Sequence, residues 1–394
     1  MRRPLGVRGL RILALNWRCP RHPQAGGSEA NLFEQARRWA ADGNAVTVFC
    51  ADPGRKHAPE RDEIVDGVRV IRCGGRFTVY LFAALFVLLN ARHYDRVLDV
   101  ANGIPFFAPV FTRKPVVLLV HHVHGPQWYA EFPYPLAAVG WFLERWMVPR
   151  LYRREAVIAV SPTTRDALAN TGIAQSQIKV VYNGSAPARE PKATTYSGEQ
   201  RIAYVGRIRR YKRLDRLVRM IPALREGFPD IRLDIAGLGE AAPAIDAVVG
   251  RLGLRDHVVM HGFVNEEKKA EILSRAAVFA TPSMHEGWGL TVIEANRYGC
   301  PAVAYDVPGL RAAIRHGETG LLAQDDADFR EALSLFLEDR DTRRRYSEAA
   351  QAWSETFSWD SCAQQTLAIL LAAGSAGATI REKTAPEPAP QSCS

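Results

Sequence analysis

No two of the six cysteines are spaced Cys-x-x-Cys; they stand far apart at Cys19, Cys50, Cys73, Cys300, Cys362 and Cys393. That spacing speaks against a metal cluster and a disulfide scaffold, and it fits a reducing cytoplasm. The chain also lacks an apolar run of the ~20 residues that a membrane-spanning helix requires. The longest run, Phe77 to Leu89, stops well short. There is no Gly-x-x-x-x-Gly-Lys-Ser/Thr, which removes the P-loop class. The first six residues, Met1 to Gly6, carry charge but no apolar h-region with a cleavage site, so no secretory signal is expected.

Acidic residues are scarce in one half only. Residues 1–185 hold 24 Lys and Arg against 14 Asp and Glu, a net of +10, whereas the remainder holds 27 against 28. The asymmetry implies an acidic partner for the first half: an anionic membrane, a phosphate-bearing acceptor or nucleic acid. A solvated basic face with no partner is the plain alternative. Basic and aromatic residues are not interleaved as a base-stacking surface needs, which sets nucleic acid aside. The 77–89 run, flanked by Arg72, Arg76 and Arg92, is by default a core helix and otherwise an interfacial one. Tyr134 to Arg154 mixes Trp141, Phe142, Trp146 and Met147 with four arginines and has the same character. The expected location is therefore cytoplasmic, with peripheral contact at the inner face of a membrane as an option.

At 394 residues, with 47% apolar and 24% charged residues, the chain is too long for one core and of ordinary globular composition. Short apolar segments alternate with helix-like ones. In the first half the strand-like pieces are 10–15, 46–50, 68–71, 96–100, 115–120 and 156–160. A helix is expected from Glu29 to Asp42, where Leu32, Phe33, Ala36, Trp39 and Ala40 recur at helical spacing. After a Pro/Ala-rich stretch the pattern restarts with strands at 202–205, 231–236, 258–260, 276–280 and 301–304. Such alternation predicts two doubly wound parallel-sheet domains, whose strand ends form ligand crevices. The boundaries are 1–185 for the first domain, 186–198 for a linker and 199–356 for the second. A C-terminal helix follows over 357–374, then a disordered tail over 375–394.

Thr281-Pro282-Ser283-Met284-His285-Glu286-Gly287-Trp288-Gly289-Leu290-Thr291-Val292-Ile293-Glu294 carries the most chemistry. An apolar strand enters it, a glycine-rich turn holds Glu286, and a helix begins near Leu290 and carries Glu294. Glycines let a ligand approach the backbone, and the free N–H groups of a helix start favour phosphate. Two carboxylates beside an anion site suit a phosphorylated ligand rich in hydroxyls, namely a nucleotide sugar. Ordinary capping of a helix in an α/β domain explains one such glutamate equally well. The block Glu286-Gly287-Trp288-Gly289-Leu290, with Glu294-Ala295 and 299–304 after it, resembles the family 4 retaining glycosyltransferases, where two glutamates with seven residues between them belong to the donor site.

The resemblance extends over about residues 10–373 and implies the GT-B fold: two Rossmann-like domains facing a central cleft. It also implies transfer of a hexosyl group (mannose, glucose or N-acetylglucosamine type) from a nucleoside diphosphate sugar to an acceptor hydroxyl. The acceptor is a glycan, a glycolipid or a small metabolite. No metal or other cofactor is implied. In Gly206-Arg207-Ile208-Arg209-Arg210-Tyr211-Lys212 the family's Gly-Arg and following Lys assign Arg207 and Lys212 to the diphosphate. Arg213 stands where members usually have Gly. Gly262, in His261-Gly262-Phe263-Val264, falls near the nucleotide base, and Gly289, Leu290 and Thr291 fall at the phosphate. Glu286 would grip the sugar hydroxyls and Glu294 the ribose.

His121-His122-Val123-His124 ends a first-domain strand. Three histidines in four residues invite a metal, but no acidic or cysteine companion is spaced nearby, so none is expected. The family's cleft histidine corresponds to His121, with His122 the alternative. Gly26-Gly27-Ser28-Glu29 resembles the first-domain glycine loop, with Gly27 on the donor side and Gly26 and Glu29 toward the acceptor. Gly237-Leu238-Gly239-Glu240-Ala241-Ala242 imitates a dinucleotide fingerprint, but it follows the second strand of its domain rather than the first. The Asp-x-Asp matches at 326–328 and 339–341 lie in polar helical text and are expected on solvated faces. The rival class is a non-catalytic protein of this fold that binds a nucleotide or an anionic lipid.

Overall fold

The computed structural model describes residues 9–22, 25–58, 60–186 and 200–374. The described residues form two units. One comprises 9–159, 165–181 and 363–374; the other comprises Val160–Thr164 and Tyr182–Cys362. The linker expected over 186–198 lies, from 187 onward, outside the described residues, as does the tail from 375.

The first unit is built on an eight-stranded sheet of order β3-β4-β2-β1-β5-β6-β7-β8. Its strands are β1 Arg11–Leu15, β2 Ala45–Cys50, β3 Asp62–Val65, β4 Val68–Arg72, β5 Arg96–Ala101, β6 Val116–Val120, β7 Ala156–Ala159 and β8 Ile178–Val180. β1, β2, β5 and β6 are buried along almost their whole length, because helices cover both faces of a parallel sheet. Only β3 runs antiparallel. It joins β4 through Asp66-Gly67, both at positive φ (49° and 80°), the two-residue turn whose twist suits a hairpin. The long helices are α1 Gly27–Ala41, α2 Val79–Asn90, α3 Tyr134–Phe142 and α4 Pro162–Thr171, which starts in residues assigned to the second unit. α2 is no simple core helix: it buries Val79, Ala83 and Val87 and turns its leucines outward.

The second unit holds a six-stranded parallel sheet of order β11-β10-β9-β12-β13-β14. Its strands are β9 Arg201–Val205, β10 Arg232–Ala236, β11 Val258–Gly262, β12 Val278–Thr281, β13 Ala302–Tyr305 and β14 Gly320–Ala323. Helices α5 Leu214–Gly227, α6 Ala242–Arg251, α7 Glu266–Arg275, α8 Leu290–Arg297, α9 Asp326–Glu338 and α10 Arg340–Glu355 follow the strands. α11 Trp359–Ala372 ends the described chain. Its residues from Ala363 on belong to the first unit, where Ala363 O accepts from Trp39 Nε1 at 2.9 Å and Leu370 O accepts from Arg96 Nε at 2.6 Å. The core of the second unit gathers Ile202, Tyr204, Leu217, Ile221, Leu233 and Phe336. β10 lies on one side of β9 and β12 on the other, so the winding direction reverses between β9 and β12. A crevice opens at the carboxyl ends of such a strand pair.

Candidate functional site

Two loops leave that crevice in the second unit. From β9, Gly206-Arg207 runs into a short 3-10 turn, Arg210–Lys212. From β12, 282–289 runs into α8. The N–H of Met284 donates to Tyr211 O at 2.9 Å, and the Tyr211 and His285 rings stack at 4.6 Å with 14° between their planes. The two loops thus act as one wall. Lys212 donates from Nζ to Oε1 of Glu286, which also accepts from Ser283 Oγ at 2.9 Å. Burial alone would push the Glu286 carboxyl up, but the Lys212 ammonium and the Ser283 hydroxyl hold it below the usual glutamate range. Burial likewise works against the Lys212 charge, and Glu286 reverses it and raises the lysine. Both therefore stay ionised.

Tyr204, buried beneath, donates its hydroxyl to Arg207 O at 2.9 Å and pins the first loop. The Arg207 guanidinium forms no ion pair among the described residues. Gly289 caps α8 at φ +81°, a left-handed conformation that glycine adopts without strain, and the helix begins with the N–H groups of Leu290 and Thr291. A Cβ added at Gly206 would sit 3.8 Å from Thr291 Cγ2, which places the cationic loop beside this helix start. Arg207, Lys212, Glu286, Leu290 and Thr291 are therefore neighbours, as their strand positions imply.

Glu294 stands apart from Glu286, one turn into α8. It accepts from Lys269 Nζ of α7 at 3.3 Å, and Lys269 also reaches Glu266 at 2.9 Å. Burial raises the Glu294 carboxyl, Lys269 opposes the rise and Glu266 adds to it. Gly262 closes β11, and its carbonyl accepts from Gly237 N at 2.7 Å; its neighbour His261 pairs through Nε2 with Asp234 at 2.7 Å. Gly237 itself answers a packing need, since a Cβ there would lie 1.8 Å from Gly206 O. The imitation fingerprint thus serves close packing of loop on loop. Asp325 and Asp339 cap α9 and α10, and the exposed Asp326 pairs with Arg216.

Supports for Glu286 came from residues that sequence reasoning passed over. The Gly287 carbonyl accepts from Ser161 Oγ at 2.8 Å and from Thr164 Oγ1 at 3.3 Å. Trp288 packs against Tyr182 and Phe357, with ring centroids at 4.7 and 5.0 Å. Ser161-Pro162-Thr163-Thr164 was readable as a helix cap, but its grip on a glycine carbonyl 126 residues away has no local signature.

In the first unit His121 follows β6 directly. Burial pushes its imidazole down to about 4, and Nε2 is buried with no hydrogen-bond partner. His122 bonds to Gln127, and the His124 ring stacks on Trp128 at 4.7 Å. Glu144, on a π-helical turn over Leu143–Met147, organises this loop. Its carboxylate accepts from the N–H groups of His124 and Gly125, each at 2.7 Å, and from Trp128 Nε1 at 3.2 Å. π turns of this kind concentrate at functional positions. Glu29 is buried, and its Oε2 accepts from Gly26 N at 2.8 Å and Ser28 Oγ at 3.0 Å. It caps α1 and shapes the Gly26-Gly27 loop instead of projecting from it. Among the described residues no group of three His, Cys, Asp or Glu is placed to hold a metal ion.

Comparison with known proteins converges on one family. Residues 25–189 match the family described as Glycosyltransferase Family 4, and residues 187–353 match Glycosyl transferases group 1. A D-inositol 3-phosphate glycosyltransferase of Nocardia farcinica (strain IFM 10152) is 27% identical over 87% of this chain and 84% of its own. The enzyme of the same name from Streptomyces scabiei (strain 87.22) is 35% identical, but the match covers 43% of this chain and less than half, 41%, of that protein. Among solved structures, Anabaena Alr3699/HepE in complex with UDP-glucose shares the fold at a TM-score of 0.72 and 21% identity, over 92% of this chain and 99% of that one.

Proposed function

Because the chain belongs to the family 4 glycosyltransferases, we propose that it moves a hexosyl residue from a nucleoside diphosphate sugar to an acceptor hydroxyl, with retention at the anomeric carbon. One observation carries the reading: the largely buried Lys212–Glu286 pair, set in the β9/β12 crevice beside the start of α8. A departing diphosphate needs its developing charge stabilised. Arg207, Lys212 and the N–H groups of Leu290 and Thr291 supply fixed donors for it, with no reorganisation at the moment of reaction. Once a phosphate shares the Lys212 ammonium, Glu286 is an acceptor for sugar hydroxyls. Glu294, farther along α8, takes the ribose hydroxyls, and Gly262 leaves room at the base.

His121 is uncharged at neutral pH and can accept or donate a hydrogen bond to the sugar or the acceptor. The acceptor proton leaves with the diphosphate in front-face attack; a covalent intermediate would give the same stereochemistry. The donor sugar is of mannose, glucose or N-acetylglucosamine type, and the reading needs no resident cofactor. The acceptor falls to the basic first unit, and peripheral contact with an anionic membrane belongs to the same reading.

The test is release of nucleoside diphosphate by the purified full chain from a panel of UDP- and GDP-sugars, with an acceptor extract. Release from one donor that is lost in Glu286→Ala supports the reading. Wild-type turnover by Glu286→Ala overturns the assignment, and donor binding without any release favours the non-catalytic class.

A further inference from the structure

Two helices of the first unit are apolar on the side facing away from the core. α2 exposes Leu81, Leu85, Leu88 and Leu89, between 51% and 71% accessible, together with Phe82. α3 packs Ala137 and Gly140 inward and exposes Tyr134, Leu136, Val139 and Phe142; Trp146 continues the face into the π turn. The two runs meet at Arg76, whose guanidinium lies 5.2 Å from the Phe77 ring centre and 5.7 Å from that of Phe132. A helix apolar all round belongs in a core or in lipid, and a cluster of large exposed apolar side chains marks an interaction site.

Charge selects the occupant. Residues 77–94 contain no acid, and residues 132–154 contain only Glu144, which is buried and turned to backbone N–H groups. Exposed within or flanking these two segments in sequence are Arg76, Arg92, Arg145, Arg150, Arg153 and Arg154, none in an ion pair among the described residues. A second copy of the chain docking face to face would bring like charges together, with no exposed carboxylate within 77–94 or 132–154 to offset them. An anionic lipid surface satisfies both features, taking leucine and aromatic side chains among its acyl chains and arginines at its phosphates. No helix of the described residues is long and apolar enough to cross a membrane.

We propose that α2 and α3, joined at Arg76, form a monotopic docking face for an anionic bilayer. This deepens the function proposed above by presenting the first unit to an acceptor carried on a lipid surface. The docking itself does not depend on the donor chemistry.

Flotation of the full chain with vesicles tests it, using phosphatidylcholine alone and phosphatidylcholine containing phosphatidylglycerol. The wild type is expected to float with the anionic vesicles, and Leu85→Glu/Leu88→Glu to remain at the bottom with an unchanged melting curve. Arg153→Glu/Arg154→Glu should reduce flotation by about tenfold or more, since basic side chains near an anionic surface act additively. A wild type that stays unbound overturns the proposal. So does sedimentation showing that the leucine variant splits a dimer of the wild type. Melting shifts with UDP and GDP, read on the same variants, keep the two readings separate: flotation without any nucleotide shift would count against the donor site alone.

Discussion

The ammonium of Lys212 and the carboxylate of Glu286, 74 positions apart in sequence, are joined by a hydrogen bond inside the second unit. Their stability contributions bracket neutrality. Glu286 has a lowered folded value, so its contribution is complete above the ordinary glutamate range and is lost as pH falls through that lowered value. Lys212 has a raised one, so its contribution is complete below the ordinary lysine range and is lost as pH rises through the raised value. In the span between, the pair holds its geometry without titrating.

Removing one partner should expose this coupling. Lys212→Met leaves the mostly buried Glu286 carboxylate without its counter-ion, held by Ser283 alone, and is expected to cost up to about 3–5 kcal/mol in urea denaturation. Adding Glu286→Gln should return part of that loss while turnover stays absent in both. Equal stability of the single and double variants would show that the two residues do not act as a unit.

Arg207 behaves differently, because its guanidinium has no carboxylate partner among the described residues. Arg207→Ala should change stability by no more than about 0.5 kcal/mol. Nucleoside diphosphate affinity should fall about tenfold or more, the scale of one charge-assisted hydrogen bond. Urea denaturation checks the first half and titration calorimetry with UDP and GDP the second, and undiminished affinity would remove Arg207 from the diphosphate.

His121 gives a pH signature in the acid range. Its folded value is about 4 against an ordinary 6.5, so the unfolded chain binds the extra proton between those limits. Stability attributable to this burial is therefore full above pH 6.5 and declines as pH falls toward 4, by up to about 3 kcal/mol. His121→Gln should flatten that window when denaturation midpoints are compared across it. His22, also pushed down to about 4, leaves a residual slope.

Arg213 occupies a left-handed conformation, φ +52°, at the end of the 3-10 turn that carries Lys212. A side chain there costs about 1–2 kcal/mol. Its guanidinium lies 5.8 Å from the Tyr305 ring, a compensation of about 0.5–1 kcal/mol. Arg213→Gly is expected to be neutral to slightly stabilising, whereas Arg213→Ala loses the ring contact and keeps the strain. A higher melting temperature for the alanine variant would contradict this account.

Both parallel sheets were legible because their strands are continuous apolar runs, and burial on two faces leaves that mark in composition. β8 and β14 escaped because they are short edge strands with partly exposed positions. β3 escaped because its alternation is faint, although Asp66-Gly67 announces the hairpin. In the site, the strand-end positions of Arg207 and Glu286 and the helix start at Leu290 followed from local pattern. The partners of the two glutamates did not. Nothing within a few residues of Glu294 points to Lys269, and nothing near Gly287 points to Ser161, since hydrogen bonds between distant segments leave no periodicity. The same limit applied to α2: its apolar run was plain, but which of its sides meets the core depends on tertiary placement.

The division of the chain between units bears on the order in which it folds during synthesis. The second unit is nearly contiguous, needing only 160–164 from upstream. The first unit is not finished when the ribosome has passed its last strand. The indole N–H of Trp39, fully buried beside the sheet, finds its acceptor at Ala363, and Arg96 finds one at Leu370. Until those final turns emerge, the earliest-made part of the protein lacks these two hydrogen bonds and the helix that covers Trp39, so the domain begun first is the one completed last.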